Sequence, residues 1–113
     1  MDESWLLQVA RALADPTRYR MLHEIRGAGE ITCGELQAHF PLSQATVSHH
    51  LKTLQRAGLV RIRAEGLFRH VSAEPERLAA FASGVVSQLG APAAAHSRKR
   101  NRVRRKPRTS RER

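Results

Sequence analysis

The chain has 113 residues, 41% hydrophobic and 27% charged, enough for one domain and a tail, and it contains no apolar run of membrane-spanning length. Its formal net charge of +10 is uneven: residues 1–90 hold ten Lys/Arg against nine Asp/Glu, a net of +1, whereas residues 91–113 hold ten Lys/Arg against Glu112 alone, a net of +9. The single cysteine, Cys33, excludes an intrachain disulfide framework and a four-cysteine zinc cage. The acidic start Asp2-Glu3, with no basic and apolar signal after it, predicts a cytoplasmic protein and no membrane partner.

Trp5, Leu6, Val9, Ala10 and Leu13 recur at helical spacing and predict a first helix from about Glu3 to Ala14. Asp15-Pro16 restarts the chain, because Asp15 caps orphan amides and Pro16 supplies the dihedral favoured at a first helical position. The second helix then runs to about Arg26, with Met21, Leu22 and Ile25 inward and Gly27 and Gly29 as stops. A third helix begins near Thr32, where Thr32-Cys33-Gly34-Glu35 has the form of a capping box and Leu36 and Phe40 supply the buried side.

Pro41 breaks that short helix and Ser43 caps the next. Wound at 100° per residue, the stretch from Leu42 to Arg56 puts Val47, Leu51 and Leu54 on one stripe and Ala45, Ser48, His49, Lys52 and Arg56 on the other. One face holds the helix to a core; the other presents small residues, hydroxyls, an imidazole and two cations, a surface able to reach base edges and phosphates. A short helix, a tight turn and an amphipathic helix with a polar outer face make helix-turn-helix grammar. After Gly58, Leu59–Ala64 and Leu67–Ser72 flank the turn signal Glu65-Gly66 and predict a small hairpin with Arg61, Arg63 and Arg69 pointing outward. From Pro75 to about Leu89, Leu78, Phe81, Ala82, Val85, Val86 and Leu89 give a last helix closed by Gly90.

The predicted architecture is therefore mainly α with a small β-hairpin wing (α+β), with five helices in a domain over residues 1–90 and a basic disordered tail over 91–113. A domain of this size is marginal alone. Trp5, Leu6, Val9 and Leu13 at one end and Phe81, Val85, Val86 and Leu89 at the other exceed what one core needs, which predicts a homodimer through the first and last helices.

Ala12-Leu13-Ala14-Asp15-Pro16-Thr17-Arg18-Tyr19-Arg20-Met21-Leu22 resembles the second-helix entry of the arsenic-repressor-type (ArsR/SmtB) winged-helix regulators. The stretch from Leu42 to Leu54, followed by Ala57-Gly58-Leu59-Val60, resembles their recognition helix. The resemblance covers roughly residues 5–90 and implies a dimeric repressor that reads an inverted repeat in double-stranded DNA and releases it when an inducer binds. It does not carry over a metal. At the family's paired-cysteine positions stand Thr32 and Gly34 with Cys33 between them, and the last helix has no histidine for the family's other site. Sensing through an intrachain thiol pair is excluded by the lone cysteine, and no readable motif names an inducer.

Within that frame, Gln44, Ala45, Ser48 and His49 are expected at base edges, Ser43, Thr46, Lys52 and Arg56 at phosphates, and Arg63 and Arg69 in the wing. His49 and His50 diverge by about 100° on a helix and cannot share a metal as i, i+4 histidines do, so His49 is assigned outward and His50 to the core edge. Cys33 is either a small half-buried residue or a redox sensor near a helix N-terminus. Glu30, Glu35, Glu74 and Glu76 read as solvated or capping groups, and no nucleophile, base and orienter occur together, so neither catalysis nor a cofactor is expected. The tail either follows the phosphate backbone or is a solvated extension. Two other functions remain open at this point: a redox or small-molecule sensor acting through Cys33 or a pocket, and a general nucleic-acid-binding protein driven by the tail.

Overall fold

A computed structural model describes residues 2–90; the tail, and every expectation placed on it, lies outside the described residues. In chain order the elements are α1 (Glu3–Ala14), α2 (Pro16–Ala28), β1 (Glu30–Thr32), α3 (Cys33–Ala38), α4 (Gln44–Arg56), β2 (Val60–Glu65), β3 (Phe68–Ala73) and α5 (Pro75–Val85), the last continued by a π-helical turn, Val86–Gly90.

Local chemistry explains most of these boundaries. Asp2 caps α1, its carboxylate accepting from the Trp5 amide at 2.9 Å. Asp15 caps α2 by accepting from Thr17 and Arg18 at 2.8 and 3.1 Å, directly before Pro16. That helix passes through Gly27 and stops at Gly29, two residues beyond the expected end. Thr32 and Glu35 form the reciprocal capping box of α3, and Ser43 caps α4 through the Thr46 amide at 3.1 Å. At Gly58 the backbone turns left-handed, φ 79°, which a residue with a Cβ resists, and this reversal sends the chain from α4 into β2.

The expected hairpin is present, and the structure adds a third strand. β1 pairs antiparallel with β3, Ile31 opposite Val71, to give the order β1-β3-β2. The core is one cluster that includes Val9, Met21, Ile25, Leu36, Leu51, Leu54, Leu59 and Val71, so α4 is clamped between the helices and the sheet by its apolar stripe. Helix α5 contributes no buried residue. It rests on α1 through Phe81, whose ring meets Trp5 edge-on at 6.5 Å between centroids.

This packing corrects part of the expected dimer surface. Val9 is fully buried, Leu6 is 7% exposed, and Leu13 packs partly buried against the core. The apolar stripe of α1 is thus used mainly inside its own chain. Trp5, Phe81 and Val85 are half-buried, whereas Val86 and Leu89 are 58% and 84% exposed. Leu7 and Leu78, not assigned to this surface from sequence, join the exposed set.

Candidate nucleic-acid interface

Helix α4 is fixed from within by Val47, Leu51 and Leu54, all buried, which leaves the opposite side to solvent. Gln44, Ala45, His49, Lys52 and Arg56 are exposed, Ser48 and Thr46 are half-buried, and Ser43 is exposed at the cap. The Ser43 and Thr46 hydroxyls lie 2.9 Å apart, so the first turn presents a small hydroxyl pair beside free helix amides. That turn suits an approaching phosphate because the unsatisfied N–H groups and the helix dipole both favour an anion.

A cleft of about 310 Å³ separates α4 from the wing tip and the start of α3; Gln44, Ser48, Cys33 and Arg69 are among the residues lining it. The structure thus brings the expected base-facing residues Gln44 and Ser48 to the same cleft as the expected wing residue Arg69. Cys33, the first residue of α3, is half-buried on that wall.

The other wing arginine, Arg63, is placed elsewhere, on a face where carboxylates meet it. In the β2–β3 register Arg63 faces His70 and Ala64 faces Arg69, so side-chain alternation sends the two arginines to opposite faces of the hairpin. On the outer face Arg63 donates to Glu65 at 3.0 Å and to Glu30 at 3.2 Å, and His70 lies 3.4 Å from Glu65. Hydrogen bonds from Arg63 hold the Glu65 carboxyl below its ordinary range, and the same bonds raise the Arg63 guanidinium. Glu30 and Glu65 are therefore ion-pair partners of Arg63, all three about half exposed or more. Arg61 is likewise held by Glu74 at 3.0 Å. The wing tip itself is apolar: Leu67 is 100% exposed and Phe68 61%, two surface residues that alternation alone did not single out.

His49 and His50 separate as expected. His49 is exposed, while His50 is half-buried and its Nδ1 stands 3.4 Å from Arg18 Nη1. Burial, the leading cause, pushes the His50 imidazole below its ordinary value, with the Arg18 charge adding to it. Among the described residues, no group of three or more His, Cys, Asp or Glu side chains has an arrangement able to hold a metal ion. No helix among them is long and apolar enough to cross a membrane.

A helix-turn-helix followed by a β-hairpin on a three-stranded sheet, with a polar face on its second helix, defines a winged-helix DNA-binding module. Comparison with known proteins agrees. Residues 13–63 match the family described as a helix-turn-helix domain. The transcriptional repressor SdpR of Bacillus subtilis is 36% identical over 64 residues, covering 57% of this chain and 70% of its own. The regulator CmtR of Mycobacterium tuberculosis is 46% identical over 66 residues, 58% of this chain but only 55% of its own length. The crystal structure of an ArsR family transcriptional regulator superposes with a TM-score of 0.71 at 27% identity, covering 78% of this chain and 90% of that one. The chain belongs to the ArsR/SmtB family of winged helix-turn-helix transcriptional regulators, which are DNA-binding proteins and not enzymes.

Proposed function

We propose that this chain is a dimeric repressor that reads an inverted repeat in double-stranded DNA with the exposed face of α4. The observation that supports this most is the division of α4 itself. Val47, Leu51 and Leu54 lock it into the core while Gln44, Ala45, Ser48 and His49 stand along its outer side. In this reading those four approach base edges in the major groove, and Ser43, Thr46, Lys52 and Arg56 hold phosphates. Arg69 serves the wing from the cleft beside Ser48, and Arg63 stiffens the hairpin. The +9 segment 91–113 adds affinity that is independent of sequence and weakens with salt.

The dimer reading draws support from α5, an apolar helix with no buried residue of its own. Exposed Val86 and Leu89, with Leu7 on α1, need a cover that the described residues do not supply, and a second copy related by a two-fold axis supplies it. Selection from a pool of random duplexes tests the whole reading. The expected product is a palindrome whose half-sites lie about 34–36 Å apart or a multiple of that. Enrichment of a single unrepeated site would overturn the two-fold dimer, and no enrichment at all would overturn sequence-specific reading.

A further inference from the structure

A second concavity, sharing no lining residue with the α4 cleft, is a groove of about 440 Å³ between α2 and the first turns of α5, with Leu13 and Leu59 also lining it. Its volume falls in the range of about 300–1,000 Å³ usual for small-molecule sites. Two helical stripes of identical spacing face it: Tyr19, Leu22, His23 and Arg26 from α2, and Pro75, Leu78, Ala79 and Ala82 from α5. The α5 stripe is wholly apolar. The α2 stripe supplies a phenol, an imidazole and a guanidinium.

None of those three polar side chains is engaged by a hydrogen bond or an ion pair within the described residues. The one carboxylate lining the groove, Glu74, is already held by Arg61 at 3.0 and 3.2 Å. The groove therefore offers an apolar wall, the charge of one guanidinium and two further hydrogen-bonding side chains, with no free acid among its lining residues. We infer that it binds a small organic anion, with an apolar body against Leu22, Leu78 and Ala82 and a carboxylate directed to Arg26, flanked by His23 and Tyr19.

Two occupants from the protein itself fit less well. The basic segment 91–113 would set like charge against Arg26. A two-fold partner is called for by Val86, Leu89 and Leu7, whereas the groove uses Pro75 to Ala82 at the opposite end of α5. The lining also gives occupancy a route to the DNA face. Leu59 follows α4 directly after the Gly58 reversal, its amide donates to Leu54 O at 3.0 Å, and its carbonyl accepts from the Glu74 amide at the head of α5. A ligand wedged between α2 and α5 shifts this junction and with it the angle of α4. The binding claim stands independently of the operator-reading proposal; only its regulatory consequence rests on that proposal.

The test uses the full chain, 4-phenylbutyrate and its uncharged amide, with calorimetry in the absence of DNA. The acid is expected to bind saturably and the amide about tenfold or more weaker, as loss of a charged hydrogen-bonding head predicts. Arg26→Ala should abolish the preference for the acid while leaving the amide as it was, and Ala79→Trp, which fills the groove on an exposed helix face, should abolish both. Circular dichroism checks that each variant folds. Equal binding of acid and amide by the wild type, no saturable binding of either, or an acid preference that survives Arg26→Ala would each overturn the site. In a separate titration the acid should shift affinity for the selected palindrome. An unchanged affinity would overturn the coupling, and a protein that binds the acid but selects no palindrome would refute the operator reading while leaving the groove intact.

Discussion

Arg18 on α2 reaches His50 on α4, with Nη1 3.4 Å from Nδ1, while Nε donates to Ala12 O at 2.9 Å and Nη2 to Arg11 O at 3.1 Å. One guanidinium thus joins the end of α1, the start of α2 and the inner edge of the reading helix. Its side chain is only 16% exposed, and the contacts with Ala12 O and His50 are partly buried while the one with Arg11 O is open to water. Arg18→Ala is expected to lower stability by about 1–3 kcal/mol, since it removes the partner of the partly buried Ala12 carbonyl and loosens α4. Operator affinity should fall as well, although Arg18 lies off the exposed face of α4. Urea denaturation together with fluorescence anisotropy on labelled duplex checks both effects, and Arg18→Lys should recover little because one ammonium cannot span three directions.

His50 makes folding pH-dependent. In the unfolded chain the imidazole protonates at its ordinary value of 6.5, whereas burial depresses it in the folded chain. Between those two values the unfolded state holds the extra proton, so acid favours unfolding. The contribution is complete above pH 6.5 and is lost as pH falls below it. Asp15, held low chiefly by the Arg18 amide, adds a separate loss below its ordinary 3.8. Thermal melts from neutral to acid pH should show the first decline in the wild type and a flatter profile in His50→Gln, which keeps an acceptor toward Arg18 without the titration.

The two wing arginines should behave differently. Arg69→Ala is expected to weaken all duplexes and reduce the slope of log K against log salt by about one phosphate contact. Arg63→Ala should leave that slope nearly unchanged, because its charge is already matched by Glu30 and Glu65. Anisotropy titrations at several salt concentrations separate the two.

Much of this was legible because it is local. The caps Asp15, Thr32 and Ser43 act within three residues of themselves, and Gly58 reports the end of α4 through its own φ. What escaped depends on distant partners. Glu30-Ile31-Thr32 is too short to show alternation and is a strand only because β3 pairs with it. Arg63 looks like a free cation until the same pairing brings Glu30 to it. The stripe of Leu6, Val9 and Leu13 announces burial but not by what, and its own core takes it. No sequence pattern within α2 tells that Arg26 and His23 border a groove closed by α5.

Gly58 carries a further expectation. A Cβ there would stand 3.0 Å from Arg77 Nη1, a flexible side-chain end that can yield, but φ 79° remains costly for alanine. Gly58→Ala should destabilise by about 1–2 kcal/mol, measured by denaturant midpoint, almost entirely through the backbone.

The central claim is that the outer face of α4 reads sequence and that general attraction lies elsewhere in the chain. Its most direct test is the affinity of Ser48→Ala and His49→Ala for the selected palindrome and for a scrambled duplex of the same composition. The palindrome should lose about 1–3 kcal/mol per substitution while the scrambled duplex is bound as before. Equal losses on both duplexes would contradict the account.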